Sequence, residues 1–235
     1  MIHTKGKFIV IEGTDGSGKA TQTKFLAEKL KSLGIPFELA DFPQYGKPSG
    51  YFAEKYLRGE YGNAEEVGAY RGSLFYAVDR YDKSFEIRKW LAEGKTVVSN
   101  RYVSANMGHQ AGKIKNKKER EKFLKWLLEL EYGIFEIPKP DLTVLLYVPP
   151  EVGQKFVDQK GERTYTKGVK RDIHEADLKH LQDAANAYLE VAKKYKWTVI
   201  DYRKKDGILS LAEVQAKIWE RVSKLLQLPH VGSKD

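Results

Sequence analysis

The chain has 235 residues, 41% of them hydrophobic, with no cysteine and a formal net charge of +9. This length is enough for one large domain or two small ones, and the hydrophobic fraction allows a sizeable core. The absence of cysteine excludes a disulfide framework and a thiol nucleophile. It fits the reducing cytoplasm, where we expect the protein.

The sequence predicts no membrane association, because no segment approaches the ~18 continuous apolar residues of a membrane span. The N-terminal residues also lack the pattern of a signal peptide. The positive charge indicates an anionic partner, either nucleic acid or a nucleotide. The densest basic run, 113–131, carries apolar residues at helical spacing, so we interpret it as a solvated helix face and expect no nucleic acid partner.

Five short apolar runs along the chain predict strands, and helical patterns separate them. The strands are KFIVIEG (7–13), FELADFP (37–43), KTVVSNRY (95–102), PDLTVLLYV (140–148) and KWTVIDY (196–202). The helices are predicted at 19–33, 64–93, 103–111, 117–131, 174–195 and 210–227. This alternation predicts a single α/β domain with a five-stranded parallel sheet flanked by helices. We expect a mobile segment at 158–171 and a frayed tail at 228–235.

Residues 11–21, IEGTDGSGKAT, nearly match the phosphate-binding loop pattern of Gly, any four residues, Gly, Lys, and then Ser or Thr. A predicted strand precedes the loop and a predicted helix follows it, so backbone N–H groups and the helix dipole would face an anion. The alternative is a plain Gly-rich turn. The predicted ATP-binding residues are Gly13, Thr14, Asp15, Gly16, Ser17, Gly18, Lys19, Ala20 and Thr21.

Two features of this loop depart from a simple triphosphate grip. Ala20 lacks the hydroxyl that usually helps to hold Mg²⁺. Asp15 would repel phosphate, so its carboxylate is expected to face a metal ion or a hydroxyl group of a second substrate.

Further polar and aromatic residues predict that second site. Tyr76 and Arg80 share one helix face, where a ring and a guanidinium suit a flat heterocycle, although such an aromatic is more often part of a core. Arg101 follows the third predicted strand and can grip phosphate bidentately. The amide of Asn106 can pair with adjacent N–H and C=O groups of a base, although a surface amide is as plausible. The remaining candidates are Phe42, Tyr45, His109 and Gln110.

The order and spacing of these stretches resemble the thymidylate kinase family. The resemblance rests on IEGTDGSGKAT, FPQYG (42–46), FYAVDR (75–80), NRYVSANMGHQ (100–110) and PKPD (138–141), and it spans roughly residues 7–202. It implies a P-loop three-layer fold with a lid, ATP and thymidine monophosphate as substrates, Mg²⁺ as cofactor and a homodimer.

The resemblance also implies residue roles. Lys19 would bind the donor phosphates, and Asp15 the acceptor sugar hydroxyl or Mg²⁺. Tyr76 would stack on thymine, Arg80 and Asn106 would bond its edges, and Arg101 would hold the acceptor phosphate, with Phe42 and Tyr45 lining that side. His109 and Gln110 would lie near the acceptor, His109 replacing an aromatic of the family. The lid would supply a catalytic cation from Arg163 or Arg171, with Lys167 and Lys170, and Asp172 and Glu175 would approach the metal.

Asn100 departs from the family pattern, because the family usually has at this position an Asp that contacts Mg²⁺ through water. Mg²⁺ takes most of its ligands from waters and phosphates, so triphosphate chemistry is still expected. The rival hypotheses are a kinase of another nucleoside monophosphate or of a deoxynucleoside, and a P-loop regulatory ATPase.

Overall fold

The computed structural model of the chain describes residues 5–158, 178–205 and 207–228. Residues 159–171 of the predicted lid and 229–235 of the predicted tail lie outside the described residues. The same holds for Arg163, Lys167, Lys170, Arg171, Asp172 and Glu175, whose roles stay predictions.

The predicted five-stranded parallel sheet is confirmed. Its strands are β1 (Phe8–Gly13), β2 (Phe37–Asp41), β3 (Thr96–Asn100), β4 (Leu142–Tyr147) and β5 (Thr198–Asp201), in the order β2-β3-β1-β4-β5. All neighbouring pairs are parallel. A small antiparallel pair, β6 (Arg203–Lys204) and β7 (Gly207–Ile208), was not predicted from the sequence.

The described helices include the six that were predicted, with described bounds within a few residues of the prediction; residues 174–177 of the predicted 174–195 helix lie outside the described residues. The helices are α1 (Lys19–Ser32), α2 (Tyr51–Leu57), α3 (Ala64–Ala92), α4 (Val103–Ala105), α5 (Lys117–Leu128), α6 (Pro150–Asp158), α7 (Leu178–Lys194) and α8 (Leu211–Leu225). Of these, α2 and α6 were not predicted. Helical geometry breaks inside α3 at Gly68, and π-helical turns continue α4 over Asn106–Gln110 and α5 over Glu129–Ile134.

Alternating side chains of β1 build a core on each face of the sheet. Phe8 and Val10 belong to the cluster on the face that α3 and α5 cover, whereas Ile9 and Ile11 belong to the cluster under α1 and α8. All four side chains are fully buried. Each such burial stabilises the fold by about 1.5–3 kcal/mol. The buried run of β1 thus fixes the strand at the centre of three layers.

The sheet order brings the predicted site residues to one edge. The chain leaves β1 for α1 and continues through β2 and β3 on one side, and it later places β4 and β5 on the other side. Ligands of open α/β sheets bind at the carboxyl ends of strands where the order changes in this way. The residues at 13–18, Asp41 and Arg101 all lie at or directly after such carboxyl ends. Among the described helices, none is long and apolar enough to cross a lipid bilayer.

Gly108 of the π-helical turn packs directly on Tyr188 of α7. A Cβ atom at Gly108 would lie 2.3 Å from Cζ of Tyr188, a distance that real contacts do not reach. Tyr188 is fully buried, so its ring has little room to move. The absence of a side chain at Gly108 therefore allows this part of the site to pack on α7.

Gly108→Ala is expected to destabilise the protein by about 1–3 kcal/mol, because a methyl group must displace the buried ring of Tyr188. Helix propensity alone predicts the opposite sign, since Ala is favoured over Gly by ~1 kcal/mol inside helices. Urea unfolding of wild type and variant distinguishes the two. A Gly108→Ala variant as stable as wild type, or more stable, would contradict the packing.

Candidate active site

The phosphate loop takes the backbone conformation that its glycines permit. Gly16 and Gly18 have φ angles of 78° and 75°, in the left-handed region that other residues rarely adopt. A Cβ at Gly16 would lie 2.1 Å from the carbonyl oxygen of Gly153, so the loop packs closely on α6. Gly18 is the N-cap of α1, whose first turn contains no acidic residue. The loop and helix terminus thus form a positive, amide-lined concavity.

Side chains on both sides hold this loop in place. Thr14 donates from its Oγ1 to the carbonyl of Val148 (2.9 Å) and accepts from the N–H of the same residue (3.0 Å). The hydroxyl of Tyr202 donates to the carbonyl of Ser17 at 2.6 Å. Both partners follow neighbouring strands of the sheet, so the loop is attached to rigid structure and is preorganised for an anion.

Lys19 lies inside the loop, as its predicted role requires. Its Nζ donates to the carbonyls of Gly13 (2.9 Å) and Thr14 (3.0 Å) and lies 3.9 Å from Oδ1 of Asp15. The side chain is buried. Its charge therefore sits at the mouth of the loop, within reach of an anion that enters it.

Asp15 and Arg101 form the ion pair that joins the loop to the second predicted site. Nη2 of Arg101 donates to Oδ1 of Asp15 at 2.9 Å. Burial raises the pKa of the Asp15 carboxyl, but interactions with His109, Arg101 and Lys19 outweigh this effect. The net result is a pKa below its ordinary value. Asp15 is thus a carboxylate over the usual working range of pH, and cations already occupy its surroundings.

The position of Arg101 depends on an unusual backbone. Its φ angle is 65°, a conformation that costs a residue with a side chain about 1–3 kcal/mol and is concentrated at functional sites. Its N–H donates to the carbonyl of Ile11 (3.0 Å), and its carbonyl accepts from the hydroxyl of Ser99 (2.6 Å). These bonds turn the guanidinium toward the phosphate loop, where Nη1 also lies 3.0 Å from Nε2 of His109.

Glu12 is a functional candidate that the sequence interpretation missed. Its side chain is fully buried at the end of β1 and accepts hydrogen bonds from Ser104 (2.8 Å), Tyr188 (3.0 Å) and the N–H of Gly13 (3.0 Å). Nη1 of Arg101 lies 3.9 Å away. A buried carboxylate between these groups connects the loop, α7 and Arg101. The available signal was a charged residue at the end of an otherwise apolar strand.

The π-helical turn brings the predicted amide residues together in the interior. Asn106 and Gln110 are almost fully buried, so Asn106 is not the surface amide of the alternative interpretation. Nδ2 of Asn106 donates to the carbonyl of Ser73 at 3.2 Å. In the described part of the chain, Oε1 of Gln110 has no hydrogen-bond partner. These amides form a polar wall beside α3.

Tyr76 is half-buried beside this wall, and its ring meets that of Tyr56 edge-on, with centroids 6.1 Å apart. Phe42 is buried against Tyr102, with centroids 5.6 Å apart, whereas Tyr45 is partly exposed. The predicted acceptor residues are therefore close to one another. Phe42 belongs to the core there, and Tyr76 keeps part of its ring accessible.

Arg80 lies deeper than a residue that only binds a ligand would need to. It is fully buried and forms an ion pair with the equally buried Glu131, with Nε 3.1 Å from each carboxylate oxygen. Nη1 also donates to the carbonyl of Tyr102 at 3.3 Å. Each terminal nitrogen of a guanidinium carries two hydrogens, so donor capacity remains for a base. Glu131 was not predicted, because its partner lies 51 positions away.

Ala20 and Asn100 stand at the two positions where the family resemblance leads us to expect metal contacts, and both line one groove. This groove of about 380 Å³ lies between α1 and β2 and is also lined by Asp41. Nδ2 of Asn100 donates to Oδ1 of Asp41 at 2.8 Å. The expected metal contacts at these two positions are thus replaced by a methyl group and an amide.

The sheet order and the phosphate loop after its central strand define the class of P-loop α/β nucleotide-binding proteins. Arg101 connects that loop to a second polar pocket. This arrangement fits the subset of the class that holds a donor nucleotide and an acceptor together.

Comparison with known proteins gives the family. The sequence model of the thymidylate kinase family matches residues 11–213. The thymidylate kinase of Plasmodium falciparum (isolate 3D7) is 33% identical over 69% of this chain and 71% of that protein. A probable thymidylate kinase of Methanocaldococcus jannaschii is 33% identical over 95% of this chain and 97% of that protein.

A solved structure of thymidylate kinase from Candida albicans has a TM-score of 0.72, with 23% identity, over 94% of this chain and 93% of that chain. At this identity the likeness concerns the fold. Taken with the sequence matches, the chain belongs to the thymidylate kinase family. It is an ATP-dependent nucleoside monophosphate kinase, a phosphotransferase.

Lys113 lies behind the predicted base pocket and was not singled out by the sequence. Its Nζ is in contact with the hydroxyl of Tyr56, the residue whose ring packs on Tyr76. Burial lowers the pKa of the Lys113 ammonium group from 10.5 to about 7. The folded protein therefore holds this lysine largely neutral above pH 7.

Because of Lys113, the free energy of unfolding is expected to increase as pH rises from about 7 to about 10. In this window the unfolded chain binds a proton at Lys113 that the folded chain releases, so folding is favoured by higher pH. One pKa unit corresponds to about 1.4 kcal/mol, so the contribution reaches a few kcal/mol. Lys113→Met should remove it. Urea unfolding across this window measures the difference, with the exposed Lys117→Met as control. Equal pH slopes for both variants would contradict the buried, neutral lysine.

Proposed function

We propose that this protein transfers the γ-phosphoryl group of ATP to dTMP and produces dTDP and ADP. The observation that carries the proposal is the dual contact of Arg101, which lies 2.9 Å from Asp15 of the phosphate loop and 3.0 Å from His109 of the second pocket. An arginine at that junction can grip the phosphate of an acceptor bidentately while the loop holds the phosphates of the donor.

The donor side is assigned to the loop at 13–21. Backbone amides and the N-terminus of α1 would surround the β- and γ-phosphates, with Lys19 beside them. The acceptor phosphate is already an anion, so the reaction requires no strong general base. Catalysis then consists of positioning and of charge neutralisation by Lys19 and Arg101. Arg163 or Arg171 would supply the further cation from the lid.

The acceptor side is assigned to the pocket beside α3. The partly accessible ring of Tyr76 would stack on the base. The buried amide of Asn106 can donate to and accept from adjacent groups of a pyrimidine, and Arg80 can add a donor. Gln110, whose Oε1 has no hydrogen-bond partner among the described residues, and His109 would border the base and the sugar. Asp15, held between cations, suits a bond to the sugar hydroxyl.

Mg²⁺ is proposed as the cofactor. Within the described ranges, no group of three or more His, Cys, Asp or Glu side chains is placed to hold a metal ion. This fits Mg²⁺, which keeps several waters and is held mainly by substrate phosphates with one or two carboxylates. When bound, Mg²⁺ neutralises and orients the phosphates. The family resemblance assigns its carboxylates to Asp15, Asp172 or Glu175.

The test of the function is an acceptor panel. The purified protein is assayed with ATP against the common nucleoside monophosphates and thymidine, and dTMP is expected to give the highest kcat/KM. Lys19→Met should lower turnover by about 10²–10³-fold with the fold intact, as expected for a group that stabilises transition-state charge. Preference for another acceptor would establish a different nucleoside or nucleotide kinase. ATP turnover without any acceptor would establish a regulatory ATPase.

Tyr76→Ala should raise the KM for dTMP much more than the KM for ATP. Stacking on an aromatic ring is worth ~1–3 kcal/mol per base, which corresponds to roughly 5–150-fold in binding. Tyr76→Phe keeps the ring and is the matched control. Equal changes for both substrates, with loss of stability, would place Tyr76 in the core instead of the pocket.

A homodimer is proposed from the surface of α3. Four exposed apolar residues follow one another at helical spacing along this helix. They are Leu74, Val78, Tyr81 and Phe85, and each is at least 40% exposed. A contiguous apolar stripe of this kind is typical of an interface.

The cysteine-free composition supports the cytoplasm as the location.

Val78→Asp is expected to convert the dimer into a monomer, because a charge would be buried without a partner at the interface. Sedimentation equilibrium gives the mass directly. Leu33→Asp, an equally exposed apolar site at the end of α1 on the other face of the sheet, is the control and should stay dimeric. A wild-type monomer, or the same mass for both variants, would refute this interface.

A further inference from the structure

The groove beside the phosphate loop lacks two groups that P-loop kinases use for Mg²⁺. A Ser or Thr directly after the loop Lys and an Asp at the end of a neighbouring strand usually hold the ion. Here Ala20 and Asn100 occupy those positions and line the groove, whose other lining residues include Lys24, Glu28, Lys31 and several apolar side chains. The question is which side chain of this chain supplies the missing carboxylate.

Among the described residues, the two carboxylates in or directly beside the loop, Glu12 and Asp15, are already engaged. Glu12 is fully buried and accepts hydrogen bonds from Ser104 and Tyr188. Asp15 is held by Arg101 at 2.9 Å and by Lys19 at 3.9 Å. A metal ion at either carboxylate would have to displace a cation or break a buried hydrogen-bond network, which is costly.

Asp41 has none of these constraints. It ends β2 and pairs in register with Asn100, which ends β3, so the two side chains stand side by side at the carboxyl edge of the sheet. The amide of Asn100 donates to Oδ1 of Asp41 at 2.8 Å. In the described part of the chain Asp41 forms no ion pair, and an amide is neutral. Burial raises the pKa of the Asp41 carboxyl above its ordinary value, and the hydrogen bond from Asn100 and the charge of Arg101 oppose that rise. The residue as a whole is exposed and lines the same groove as Ala20.

A second observation marks the same groove as a ligand site. Thr23 is more than nine-tenths buried and lines the groove one helical turn after Ala20. Within the described residues, its Oγ1 has no hydrogen-bond partner, and neither does Oδ1 of Asn100. Buried polar atoms are nearly always paired with protein groups, water or an ion. These oxygens suit the water shell that Mg²⁺ retains.

We propose that Asp41 supplies the carboxylate for the Mg²⁺ of the ATP complex, directly or through one coordinated water. The hydrogen bond from Asn100 orients it, so the charge that the family usually places on β3 stands one strand further out, on β2. The proposal rests on the proposed function in that it assumes ATP in the phosphate loop. It assigns to the metal a residue other than Asp15, Asp172 and Glu175.

The test measures how strongly a divalent ion and an ATP analogue assist each other's binding. Calorimetric titration with β,γ-imido-ATP is carried out on the full chain with and without Mn²⁺. The ratio of the two affinities is the coupling between metal and nucleotide. In Asp41→Asn this ratio should fall about tenfold, a typical loss when a metal site loses one of its groups. The metal-free affinity should not fall.

Two further variants separate ligation from general charge effects. Glu28→Gln removes an exposed carboxylate that lines the same groove further along α1, and its coupling should equal that of wild type. Asp41→Asn combined with Asn100→Asp moves the carboxylate back to β3 and keeps the Asp–Asn pair. It should regain most of the coupling.

Unchanged coupling in Asp41→Asn would overturn the proposal, and so would an equal loss in Glu28→Gln. Circular dichroism and thermal unfolding check that each variant is folded. If Asp41→Asn alone is not folded, the variant that combines Asp41→Asn with Asn100→Asp is used for the test. Failure of wild type in the acceptor panel, with the coupling lost only in Asp41→Asn, would contradict the proposed acceptor and leave the metal assignment intact. Normal dTMP turnover by wild type, together with unchanged coupling in Asp41→Asn, would support the proposed acceptor and contradict the metal assignment.

Discussion

The contact between Arg101 and Asp15 is the interaction on which the rest of the site depends. It is the point where the phosphate loop after β1 meets the segment after β3. The pair is possible because β1 and β3 are neighbours and because the backbone of Arg101 adopts a left-handed conformation that aims its side chain at the loop. Strain of this kind persists only where the surroundings hold it, here through hydrogen bonds to Ile11 and Ser99.

Buried polar groups extend this contact in two directions. Glu12 lies behind Arg101 and accepts a hydrogen bond from the hydroxyl of Tyr188 on α7. One carboxylate thus connects the phosphate loop to α7, the helix that follows the predicted lid segment in sequence. On the other side, Glu131 fixes Arg80 beneath the proposed acceptor pocket. Such networks fix orientation, because a buried group that is hydrogen-bonded to several partners has few alternative geometries. They explain how a site assembled from distant segments can be rigid before substrates bind.

At the carboxyl edge of the sheet, Asp41 is the carboxylate that stands beside Ala20 and Asn100. A methyl group and an amide stand at two expected metal contacts, and Asp41 lies beside both on the adjacent strand. Neighbouring parallel strands end only about 4.8 Å apart, so a carboxylate can change strands and stay near the same phosphates. The chemistry of phosphoryl transfer constrains where charge must be, and it leaves open which residue carries it.

The sequence by itself determined the fold class, all five strands and the phosphate loop, because each is encoded by local periodicity or by a contiguous motif. It indicated the family, through the resemblance of several short motifs in their order and spacing. It also identified Lys19, Arg101, Asn106 and Tyr76, which lie near the carboxyl edge or the pocket beside it. It missed α2, α6, Glu12, Glu131 and Lys113. The burial of Arg80 and the pairing of Asp41 with Asn100 were decided by tertiary structure alone. These features depend on contacts between segments far apart in the chain, and burial, ion pairing and a shifted pKa exist only once those segments have packed together.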